Sequence, residues 1–277
     1  MAPDTDPAPA PRGGFVFFST ATYALGKEVG FEQASELFLS MCADPTPDEG
    51  TLPAARTVAR LQHLEQVALW HDCSATSIGK SRSRAAFEAH KSAADVWICC
   101  DDDVEADSQT LQWLIGAARS SVRPCVVLAP CVTRGSTVVN VALERSGLQR
   151  RELPGGGATI PCIAGGFGLV AMNRGALERM FDRYANTLSF VDDDGVIKVG
   201  LFIEMLAPRV SSRIILPRAN EQIWTGEDVS FCRRATDAGV SLEALVSGVT
   251  SHAGVALRLE SVPALGELEP VASGGAR

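Results

Sequence analysis

Three consecutive aspartates, Asp101, Asp102 and Asp103, follow directly on the apolar run Val96-Trp97-Ile98-Cys99-Cys100. Like charges at the end of a buried strand repel one another and are costly to desolvate. A hard divalent cation removes that cost. Mg2+ and Mn2+ take oxygen ligands, often one or two carboxylates completed by substrate phosphates. Alternation along an extended segment aims Asp101 and Asp103 one way and Asp102 the other. The competing reading is a solvated acidic turn that caps the next helix.

Further residues could join such a site. The stretch 224–240, WTGEDVSFCRRATDAGV, opens a helix with Glu227 and Asp228 in its first turn. The positive end of the helix dipole favours carboxylates there. His252 follows a β-like run in LVSGVTSHAG (245–254) and precedes a small-residue turn. Gly165-Gly166-Phe167-Gly168 lets backbone come close to a ligand, or simply turns into a buried strand. Trp224 could stack on a ligand or pack in the core. A second triplet, Asp192-Asp193-Asp194, precedes Gly195 between two short β-like runs, so a hairpin with exposed acids accounts for it.

The elements that must position these residues alternate between strand and helix. GFVFFSTATY (14–23) reads as a strand, FEQASELFLSMCA (31–43) as a helix, and DPTPDEGTLP (44–53) as a loop. AARTVARLQHLEQVALWHD (54–72) reads as a helix whose end turns into a short strand. SIGKSRSRAAFEAHKSA (77–93) is helical, DVWICC (95–100) a strand, DSQTLQWLIGAARSS (107–121) a capped helix and PCVVLAPCVT (124–133) a strand buried on both faces. Such alternation predicts an α/β fold with a mainly parallel sheet flanked by helices. Ligands in such sheets sit at the carboxyl ends of the strands, where Asp101–Asp103 fall.

Composition bounds the function. The 277-residue chain carries a net charge of −8, which argues against a nonspecific nucleic-acid binder. Its eight cysteines form no CxxC pairs and fit buried thiols in a reducing cytosol, so a cytoplasmic location is expected. No apolar run approaches the ~18 residues of a membrane span. Residues 1–13 and 263–277 read as flexible tails around one domain, 14–262.

A strand ending in DxD, then IAGGFGLVAMNRGALERM (163–180), then GEDVSFCRRATDAG, then a His after a further strand, in that order, resembles GT-A fold glycosyltransferases, the family-2-like set above all. The resemblance covers roughly residues 14–256. It implies a transferase of the hexosyltransferase type, moving a sugar from a nucleotide-diphosphate sugar to a hydroxyl of a glycan, lipid, protein or small molecule. It implies a nucleotide loop at Ser19, Thr20 and Thr22, although the proline common there in the family is missing. Arg82, 19 residues before Asp101, stands where the family carries an Arg-Asn pair, with Ser83 in place of the Asn. Asp101 and Asp102 become donor contacts. Asp101, Asp103 and His252 become ligands of Mn2+ or Mg2+. Asp228 matches the base of inverting members, and Glu227 orients the acceptor or caps the helix. Two other classes stand beside this one. A nucleotidyltransferase carries a basic Gly-rich loop after its first strand, where this chain has STATYALGKEVG. A noncatalytic module of the same shape would have lost the carboxylates that this chain keeps.

Overall fold

A computed structural model of the chain describes residues 14–21, 31–44, 50–73, 77–133, 138–144, 149–208 and 222–262. Both expected tails, and Thr22 of the nucleotide loop, lie outside them. The first half alternates as its sequence pattern predicts: β1 (Phe15–Ala21), α1 (Phe31–Ala43), α2 (Pro53–Gln62), β2 (Gln66–Asp72), α3 (Ile78–Lys91), β3 (Val96–Asp101), β4 (Val104–Ala106), α4 (Ser108–Ser120) and β5 (Cys125–Leu128). The stretch 54–72 thus divides between α2 and a full strand, because Gln66–Asp72 is long enough to pair along all of β1. The second half adds β6 (Val141–Leu143), β7 (Arg151–Glu152), β8 (Ala158–Gly165), β9 (Leu169–Asn173) and α5 (Arg174–Tyr184). Then come β10 (Ser189–Val191), β11 (Ile197–Val199), β12 (Met205–Pro208), β13 (Gln222–Thr225), α6 (Glu227–Asp237), β14 (Ser241–Leu245), β15 (Val249–His252) and β16 (Val255–Arg258).

The central sheet runs β2-β1-β3-β9-β5-β14-β8-β6, with β7 beside β8. β1 is parallel to β2 and β3, and β5 to β14. β9 is antiparallel to both β3 and β5, which leaves β2, β1, β3, β5 and β14 running one way. The fold is therefore α/β with a mainly parallel sheet. Strands β3 and β5 are apolar and almost wholly buried, as a sheet covered on both faces demands. Register places Asp72, Ala21 and Asp101 in one row at the carboxyl edge. Under that edge lies an aromatic cluster: Phe202 stacks on Phe231 at 4.4 Å, and Phe167 meets both edge-on. Edge-to-face rings hold one another in preferred geometry, so the backbone that carries them is fixed too.

The second aspartate triplet departs from its expectation. The β10–β11 hairpin forms, with Gly195 at φ 77°, but Asp192 is buried. It pairs with Arg84 and Lys198 at 2.6 Å each and with Lys80 at 3.2 Å. The hairpin lies on α3, and the cations of that helix turn the first acid inward. All eight cysteines are buried free thiols.

Candidate functional site

Arg82 organises the site. Ser77 caps α3 through its hydroxyl, and the helix carries Arg82 under the carboxyl edge of the sheet, where it is only 5% exposed. Its Nη2 donates to Asp101 Oδ1 at 2.7 Å. Its Nη1 donates to Asp228 Oδ1 and stands 3.4 Å from Glu227 Oε1. The guanidinium lies 5.7 Å from the Phe167 ring centroid, a distance at which the ring face attracts a cation. Burial works against its charge, and Asp101 and Asp228 outweigh that, so its pKa stays above the ordinary value.

Asp228 is held from two sides. Arg82 takes Oδ1, and the amide N–H of Phe167 donates to Oδ2 at 3.1 Å. The Gly-rich segment therefore serves the carboxylate directly, which its sequence did not reveal. Gly166 lets the same segment pack against Asn140, since a Cβ there would lie 2.5 Å from that side chain. Burial pushes the Asp228 carboxyl above the ordinary carboxylate range; Arg82 opposes the shift and Glu227 adds to it.

Asp103 belongs to a different pair. Alternation was expected to aim it with Asp101, but β3 stops at Asp101, and Asp102 and Asp103 form a turn into β4. β4 pairs with β15, Val104 opposite His252, and the Ala253 N–H donates to the Asp103 carbonyl at 2.9 Å. The turn thus brings Asp103 Oδ2 to 3.3 Å from His252 Nε2. On the other side of the imidazole, Nδ1 lies 2.6 Å from the Val132 carbonyl oxygen. A carbonyl only accepts, so Nδ1 carries the hydrogen and Nε2 is the nitrogen turned to Asp103. A ring nitrogen tied to a backbone carbonyl is the usual support of a metal-ligating histidine. A carboxylate and an imidazole thus fit Mn2+ or Mg2+ when phosphates and water complete the shell. Among the described residues, no group of three or more His, Cys, Asp or Glu side chains is placed to hold an ion.

The first strand divides its residues. Ser19 is buried, and its hydroxyl accepts from Trp97 Nε1 at 2.8 Å and lies 3.5 Å from the Ile98 carbonyl. Ser19 also lines a small cavity with Thr20, Arg82 and Asp101. Thr20 Oγ1 and Arg82 Nε are buried with no hydrogen-bond partner among the described residues. Both residues line one small cavity together with Asp101 and Trp70. The backbone carbonyl of Asp102 accepts from the Ala54 N–H at 3.3 Å, which ties this turn to α2.

No family model matches the chain, and neither does any curated protein. Several solved structures are similar in fold. A protein from STIV aligns at 13% identity over 86% of this chain and 84% of its own, with a TM-score of 0.42. GalNAc-T7, solved with UDP, GalNAc and Mn2+, aligns at 11% identity over 87% of this chain and 43% of its own, with a TM-score of 0.43. An inositol-1-phosphate CTP transferase from T. maritima aligns at 8% identity over 87% and 89%, with a TM-score of 0.40. No helix among the described residues is long and apolar enough to cross a membrane.

Proposed function

We propose that this protein is a metal-dependent glycosyltransferase of the GT-A type, moving a sugar from a nucleotide-diphosphate sugar to an acceptor hydroxyl with inversion. One observation carries the reading: the single turn that follows β3 links the Arg82–Asp101–Asp228 cluster to the Asp103–His252 pair. Asp103 and His252 are the residues that would hold Mn2+ or Mg2+, and such an ion neutralises charge on a departing diphosphate. Thr20 Oγ1 and Arg82 Nε have no hydrogen-bond partner among the described residues, and both residues line a small cavity beside Asp101. Asp228 takes the proton of the attacking hydroxyl. Arg82 and the Phe167 amide fix both its oxygens, so the carboxylate is oriented before the acceptor arrives. Burial raises its basicity, which brings its pKa nearer to the working pH.

The test is release of nucleoside diphosphate from UDP-, GDP- and dTDP-sugars by the full chain, with Mn2+, with Mg2+ and with EDTA. Metal-dependent release is expected. No release from any donor overturns the reading. Metal-dependent binding without release would indicate a noncatalytic module. Pyrophosphate formed from a nucleoside triphosphate and a sugar phosphate would indicate a nucleotidyltransferase.

A further inference from the structure

Glu227 faces Arg82 and also lines a groove of about 450 Å3, a volume ordinary for a small-molecule site. The groove lies between the start of α3, the β10–β11 hairpin and the segment after β11. Ile78, Phe190, Phe202 and Ile203 give it an apolar lining, and Glu204 and Glu227 add carboxylates. Gly79 brings α3 against the lining: a Cβ there would lie 2.5 Å from the Phe202 carbonyl oxygen. At the mouth stands Trp224, 67% exposed. Its indole N–H donates to Glu204 Oε2 at 2.7 Å, which fixes the ring's orientation and leaves its face to solvent. Large exposed apolar groups beside a concavity mark ligand sites.

We propose that this groove binds the acceptor and that the acceptor is a saccharide, its ring laid on the Trp224 indole. The proposal rests on the transferase reading above and names its second substrate. An apolar lining edged by carboxylates calls for a ligand with an apolar face and a rim of donors. A pyranose has both, in its C–H faces and its hydroxyls. A hydrocarbon chain would leave Glu204 and Glu227 desolvated without donors. A phosphorylated ligand or an acidic peptide would meet two carboxylates. The one cation among the described lining residues, Lys80, is already paired with Asp192 at 3.2 Å and Asp193 at 3.0 Å. Glu227 is the chain neighbour of Asp228, so a saccharide seated here has its hydroxyls beside the carboxylate that takes the proton.

The experiment is a glycan array probed with the full chain in the presence of UDP and Mn2+, followed by titration calorimetry with the saccharide bound best. Saccharide binding is expected. Trp224→Ala should weaken it about tenfold or more, in line with the worth of an aromatic contact, and Trp224→Phe should restore part of it. Glu204→Gln keeps the side chain's size and should weaken binding as well, and thermal melts of all three variants check that they fold. Two results overturn the proposal: no saccharide bound by the wild type, or binding unchanged in Trp224→Ala. Capture of phosphatidylcholine vesicles or of peptides in place of glycans overturns it too. Failure of donor release strikes the transferase reading alone, because the array reads saccharide binding without turnover.

Discussion

Asp101–Asp103 and Asp192–Asp194 have the same composition and length, and each is met by different neighbours. In the second triplet, cations of α3 and β11 answer the acids one by one: Arg84, Lys198 and Lys80 on Asp192, Lys80 and Arg84 on Asp193, Lys198 on Asp194. That cluster is electrostatically closed, and it fastens a hairpin to a helix. In the first triplet Asp101 pairs with the buried Arg82, and Asp103 faces the His252 imidazole. The difference teaches that the elements packed against an acidic run decide its use: one triplet clamps a hairpin to a helix, and the other gathers side chains of the candidate site.

The comparison can be broken at either end. The largest effect is expected from Asp103→Ala: calorimetric titration with UDP and Mn2+ should show metal-dependent affinity abolished, with the thermal midpoint kept. Unchanged affinity would remove Asp103 from the site.

Asp228→Asn keeps size and removes basicity. Turnover should fall by about 10²–10⁴-fold, while UDP–Mn2+ affinity changes little. NMR of fresh product should show the inverted anomer. In the wild type, turnover should drop as pH falls through the raised pKa of Asp228. Glu227→Gln removes a neighbouring negative charge, so that acid limb should move to lower pH. For stability the sign is opposite: a raised carboxyl pKa binds its proton more tightly in the folded state, so this group's contribution favours the fold at low pH and is lost as pH rises through that value.

Asp192→Asn should act on stability alone. It removes the most buried partner of Lys198 and Arg84, whose side chains are only 7% and 12% exposed and which keep only the outer acids Asp194 and Asp193; breaking a buried pair typically costs about 3–5 kcal/mol, and the remaining pairs should hold the loss to the lower end. Arg84 first, with Lys198, holds the Asp192 carboxyl well below the usual range. Its contribution is therefore present above the unfolded carboxylate's pKa of about 4 and fades as pH falls through and below it. Urea melts of wild type and variant should converge in acid. A large loss of UDP affinity in Asp192→Asn, with stability intact, would reverse the roles of the two triplets.

Two smaller effects sharpen the picture. His252→Ala should weaken Mn2+ binding less than Asp103→Ala does, since a neutral ligand is lost rather than a charged one. Asp193→Ala should leave the thermal midpoint almost unchanged, because its side chain is 74% exposed and exposed ion pairs contribute little. A melt that moves by much more would show that the outer part of the clamp matters as well.

The alternation of strand and helix, the buried strand before Asp101, the cap at Asp107 and the acids opening α6 were all legible in the chain. Each is a local pattern of period, propensity or capping. β9 between β3 and β5 was not, because a run such as LVAMN carries no mark of its partner or direction. Nor was the core role of the Ser19 hydroxyl, which depends on Trp97 of the neighbouring strand.

The sequence by itself determined the kinds of group available and their place at strand ends and helix starts, because those follow from neighbours in the chain. The tertiary structure decided their company. It put Arg82 between Asp101 and Asp228, residues 19 and 146 positions away. It brought Asp103 to His252, gave Asp228 the Phe167 amide, and matched Asp192 with three cations. Charge, pKa and metal affinity depend on distances of a few ångströms between residues remote in the chain, and only the packed sheet and helices set those distances.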